Sequence, residues 1–118
     1  PGQADAIART DEKALVAAPG QKFADAVTVK ATYQDAAAAG VTVTATMVKD
    51  RLGVIDNDKG PFFEDEAGKP VRTLTGLTTD ADGKLRLPDI HADGEAGTYL
   101  LRLTTEGGGS VVVELTVK

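Results

Sequence analysis

Between Lys49 and Pro70 the chain reads KDRLGVIDNDKGPFFEDEAGKP, and beyond Asp50 five further carboxylates crowd into it: Asp56, Asp58, Glu64, Asp65 and Glu66. Carboxylates and backbone carbonyls are the oxygen ligands that calcium takes. The spacing departs from an EF-hand loop, because Gly60 follows Asp58 by two positions and no Glu closes the twelfth position. The plainer expectation is a solvated acidic loop with no cofactor, Ca²⁺ being the alternative. A zinc centre would draw on several His or Cys ligands, and the chain has one histidine and no cysteine. That histidine, His91, sits in Asp89-Ile90-His91-Ala92-Asp93, while the sole serine, Ser110, follows Gly107-Gly108-Gly109. Nucleophilic catalysis needs nucleophile and base side by side, so His91 reads as a loop histidine and no enzyme activity is expected.

Two other groupings carry chemistry. Phe62 and Phe63 are adjacent, and successive side chains of an extended segment face opposite ways, so both cannot enter one core. With Tyr33 they form a candidate binding surface, since aromatic anchors dominate protein and sugar contacts. The competing expectation is one Phe capping the core and the other on its rim. An isopeptide cross-link would need a buried Lys beside an Asn or Asp and an acid. Lys30 and Glu114 fall on the polar faces of their segments, and the only Asn, Asn57, is in the long loop.

The 118 residues suit one domain, taken as residues 1–118 with 1–6 as a linker, and can bury one core without metals or disulfides. A net charge of −5 argues against nucleic acid, which is bound through basic stripes. No apolar run approaches a membrane span. Pro1 in place of Met reads as a module cut from a longer protein.

The elements that would position these residues alternate with period two between Gly, Pro and Asp breaks, the pattern of an all-β sandwich. AVTVKATY (26–33) puts Val27, Val29, Ala31 and Tyr33 on one face, and VTVTATMV (41–48) does the same with Val41, Val43, Ala45 and Met47. Further strands are read at 71–79 and 84–87, with Asp80-Ala81-Asp82-Gly83 as a hairpin turn between them. EAGTYLLRLTTE and SVVVELTVK flank a flexible glycine turn. Ile7, Ala8 and Leu15 to Ala17 read as a split first strand ended by Pro19-Gly20, with Phe23 plugging the core; helix over 3–18 is the rival. Ala36 to Ala39 reads as a connection, with a helical turn as its rival.

Tyr99 follows Gly97 by two and Glu95 by four, the setting of a tyrosine corner, in which the hydroxyl bonds an upstream backbone group. Leu101 then stands where such strands often carry a cysteine. On PGQKFADAVTVKATY, AGVTVTAT, TTDADGKLRLP and AGTYLLRLTTEG, spread over roughly residues 7–118, the chain resembles bacterial Ig-like domains of invasin-type adhesins and of secreted or wall-associated actinobacterial proteins. Ala36 to Ala39 replaces the Gly-x-Pro-Val turn those domains usually carry. The resemblance implies an antiparallel Ig-like sandwich of about seven strands in an extracellular protein. It also implies a non-catalytic role as spacer or adhesion and protein-recognition module, with protein or glycan partners at the cell surface and neighbouring domains. The alternative is a carbohydrate-binding accessory module of a secreted enzyme, using Phe62, Phe63 and Tyr33.

Overall fold

The computed structural model describes residues 2–53 and 55–118. Its strands are β1 (Ala6–Arg9), β2 (Val16–Ala17), β3 (Thr28–Tyr33), β4 (Ala36–Ala37), β5 (Thr42–Val48), β6 (Phe63–Glu64), β7 (Pro70–Val71), β8 (Thr73–Thr78), β9 (Lys84–Arg86), β10 (Gly97–Thr105) and β11 (Ser110–Val117). The described residues contain no helix, and none that could cross a membrane. Seven strands have three or more residues and four are two-residue pairings.

Two sheets form a β-sandwich. The first places β3 between β1 on one side and β4 and β9 on the other. The second runs β2-β11-β10-β5-β8, with β2 parallel to β11 and the remaining pairs antiparallel. The small β6–β7 hairpin stands apart from both.

Period-two alternation sends one set of side chains between the sheets. Val29 and Ala31 of β3, Val43, Ala45 and Met47 of β5, Leu101 and Leu103 of β10, and Val113, Leu115 and Val117 of β11 are all buried. Thr44 and Thr104, outward-facing and opposite one another, show the other half of the pattern. Tyr33 departs from the expectation for β3. The chain turns at Gln34 and Asp35, with φ of 50° and 68°, so its ring lies past the end of the core and is 43% exposed. Those positive φ values make the two-residue turn of a right-twisted hairpin, and so the alanine run opens as strand β4 rather than as a helical turn.

The first strand is divided between the sheets, β1 on β3 and β2 on β11. Residues 2–6 are not a linker: Gly2 bridges Val41, Ala4 is fully buried, and Ala6 begins β1. Pro1 lies outside the described residues.

The Asp80–Gly83 turn differs from the expected hairpin, because β8 pairs with β5 and β9 with β3. The turn carries the chain from one sheet to the other. Thr79, buried just before it, holds the crossing: its Oγ1 donates to the Ala38 carbonyl at 2.7 Å and accepts from the Val41 amide at 2.9 Å. Thr79→Val keeps the shape but strands both backbone groups away from water. The expected cost is about 1–3 kcal/mol, or roughly 4–12 °C in the thermal midpoint at about 4 °C per kcal/mol. Thr79→Ser restores most of it; a Val variant melting with the wild type would remove the clamp.

Candidate functional site

Some of the residues singled out by their chemistry, Phe62, Phe63, Glu64 and His91, meet at the pole where the 88–96 connection enters β10. Phe62 and His91 exchange backbone hydrogen bonds, with Phe62 N–H donating to His91 at 3.0 Å and His91 N–H donating to Phe62 at 2.9 Å. This pairing sets the two rings parallel, centroids 5.4 Å apart and planes 16° from each other. The Arg72 guanidinium lies 5.8 Å from the centre of the Phe62 ring, within the range of a cation–π contact. Its Nη2 donates to the Gly60 carbonyl at 3.0 Å and approaches Asp93 Oδ2 at 3.4 Å. His91 Nε2 stands 3.4 Å from Glu64 Oε1. Phe62 is half-buried and Phe63 is fully buried in the core.

Tyr99 closes the pole from the other side. Its hydroxyl donates to the Glu95 carbonyl at 2.8 Å, which folds the ring back over the start of β10. A Cβ at Gly60 would stand 2.5 Å from Tyr99 Cδ1, and Gly60 has φ of +86°. Glycine there lets the loop backbone lie against the ring. Loss of water around the hydroxyl, then the charges of Glu95 and Asp93, raise the Tyr99 pKa above its ordinary value.

The three aromatics of the candidate binding surface do not meet. Phe63 is core, and Phe62 is pressed against His91. Tyr33 is at the far pole, where Asp5 N–H donates to Thr32 and Ala4 N–H donates to Glu106. Ser110 begins β11 at that same far pole, opposite Thr104. His91 is thus separated from it by the length of β10, roughly 25 Å at about 3.3 Å per residue. Lys30 and Glu114 are both exposed and belong to different sheets, and Glu114 is paired with Arg51.

The five acids at 56–66 are dispersed as well. Asp56 bridges Val48, Glu64 faces His91, and Asp65 Oδ1 accepts from the amides of Ala67 and Lys69 at 2.9 Å each. Among the described residues no three His, Asp or Glu side chains converge as a metal site; Val54 of this loop lies outside them.

The Asp65 arrangement recurs at Asp80, whose Oδ1 accepts from Asp82 and Lys84 at 2.8 and 2.9 Å. In both turns the first residue's carbonyl accepts from a glycine with φ near +80°, Gly68 at 79° and Gly83 at 76°. The signal was in the sequence as a repeated Asp-x-x-Gly-Lys, at 65–69 and 80–84. Arg72 had no such signal; its role follows from its position directly after β7, which pairs with β6. The two amide bonds, of Lys84 first and Asp82 second, hold the Asp80 carboxyl below its ordinary pKa.

No family model matches the chain, and neither a curated protein nor a solved structure matches it.

Two measurements check the Tyr99 corner and the Asp80 turn. Tyr99→Phe removes the corner hydroxyl and is expected to cost about 0.5–1.5 kcal/mol in urea unfolding; an unchanged midpoint would leave the ring's packing as its whole contribution. Asp80 titrates lower folded than unfolded, so its stabilising effect is present above the ordinary Asp value of about 3.9 and is lost as pH falls through the lowered one. The stability gap between wild type and Asp80→Asn is therefore expected to be flat near neutrality and to shrink in the acid limb. A constant gap through that limb would mean the carboxylate's charge contributes nothing.

Proposed function

We propose that the chain is a non-catalytic Ig-like module of an extracellular bacterial protein, serving as a spacer that also presents surfaces for recognition of protein or glycan at the cell surface. The observation that carries this reading is the parallel pair of β2 and β11 at the edge of the five-stranded sheet. Parallel strands pulled from opposite ends load their hydrogen bonds together, which suits a module that bears tension.

The strand order supports the same reading. A first strand shared between two sheets, a last strand taking β2 in parallel, and a Tyr99 hydroxyl bonded to the residue-95 carbonyl are all features that an Ig-like sandwich would combine. Fold does not fix function; the spacer role rests on this parallel pair.

Tension between residues 2 and 118 runs along β2 and β11, so their bonds, including Thr116 N–H to Leu15 at 2.9 Å and Lys118 N–H to Ala17 at 3.0 Å, are loaded together in shear. Single-molecule pulling is expected to give one sharp unfolding event. Ala17→Pro, which brings no N–H to the ladder, is expected to lower its force while circular dichroism shows the variant still folded. A wild type that yields with no resolvable force peak would sink the spacer reading.

A further inference from the structure

The chain contains two Asp-Gly steps, Asp82-Gly83 and Asp93-Gly94, and they sit in opposite circumstances. Gly83 is buried; its N–H donates to Asp80 at 3.0 Å and its carbonyl accepts from Ala31 at 2.8 Å. Gly94 is exposed, a Cβ placed on it would meet nothing within 4 Å, and its N–H is turned to the side-chain carboxylate of Asp93, 2.8 Å from Oδ1. The other oxygen of that carboxylate, Oδ2, faces Arg72 Nη2 at 3.4 Å.

We propose that Asp93-Gly94 is a site of spontaneous isoaspartate formation, selected over Asp82-Gly83 by the fold. The amide nitrogen of Gly94 attacks Cγ of Asp93 in its protonated carboxyl form. The new N–Cγ bond forms as the carboxyl hydroxyl and the amide proton leave as one water, which closes a five-membered imide. Water then reopens the ring. Attack at Cγ restores Asp. Attack at the main-chain carbonyl breaks its bond to the Gly94 nitrogen and leaves the chain running through Cγ, with the former main-chain carbonyl now a free carboxylate. No oxidant, reductant or cofactor takes part.

At Gly94 the nitrogen already faces the carboxyl group, and the surroundings leave room for the ring. At Gly83 the same closure must first break two main-chain hydrogen bonds inside the sheet-to-sheet turn, which holds the reactive form down by about ten-fold or more. Isomerisation at 93 reaches beyond the loop. The Asp93 carbonyl accepts from Gly20 N–H at 3.2 Å, Ala92 N–H donates to Gln21 at 2.8 Å, and Glu95 carries the acceptor for Tyr99. An added methylene between these anchors shifts the 18–21 segment and the corner against each other.

The test is ageing of the folded protein for weeks at physiological temperature in mildly acidic buffer. Isoaspartate is then labelled by a protein isoaspartyl methyltransferase with a radiolabelled methyl donor and assigned by electron-transfer fragmentation of the peptides. The expected result is label in the Asp93 peptide exceeding that in the Asp82 peptide by about ten-fold, with the two converging when ageing is done in concentrated urea. Gly94→Ala, which the open surroundings tolerate, is expected to abolish most of the label while leaving the melting curve in place. Equal labelling in the folded protein, label concentrated at Asp82, or the same ratio folded and unfolded would each overturn the proposal.

Discussion

Dry contact between two sheets is what everything else in this molecule serves. With no cysteine to staple them, the sheets are joined by side chains from β3, β5, β10 and β11, and Leu101 and Leu103 fill the centre with no exposed surface. Each large aliphatic contributes roughly 1.5–3 kcal/mol by leaving water, so one or two such positions match what a disulfide typically adds. Phe23 and Phe63, both buried, seal the pole where β10 begins. The long 49–70 loop is anchored there because one of its two phenylalanines is committed to the core and the other to a stack with His91.

Packing two sheets forces the backbone to cross between them, and each crossing leaves peptide groups that no strand can pair. Short polar side chains take up that work. Thr79 satisfies one acceptor and one donor at the crossing after β8. Thr105 does the same at the end of β10, donating to Ala4 at 2.6 Å and accepting from Gly109 N–H at 2.9 Å. Asp65 and Asp80 close two turns by one recipe. The carboxylates of Asp65 and Asp80 are therefore architectural, each turning an oxygen back onto its own backbone.

The sheets were legible in the sequence because their side-chain period is two: the inward residues of β5, β10 and β11 follow from alternation alone, as does the division of the first strand at Leu15 to Ala17. Tyr33 was misplaced because alternation says which way a ring points and nothing about whether core extends that far. The Asp80 turn was recognised but its destination was not, since local turn chemistry is blind to which sheet the next strand joins. The pole around Phe62 was legible only in part. Adjacent phenylalanines announce that one must leave the core, but the pairing with His91 depends on contacts 29 positions apart along the chain, and Arg72 carries no pattern at all.

The parallel pairing of β2 with β11 also fixes an order of events during synthesis and refolding. Thr116 N–H reaches back to the Leu15 carbonyl, one of the longest sequence separations in the fold, and such distant closures slow folding. A ribosome would release β1, β3 and β5 well before the partners that cover them. Until β11 emerges, β10 presents an open edge and the apolar face of Leu101 and Leu103 lacks one flank. The nascent molecule is thus most adhesive just before it is complete, and a holding chaperone or rapid translation of the final strand would matter more than the stability of the finished sandwich.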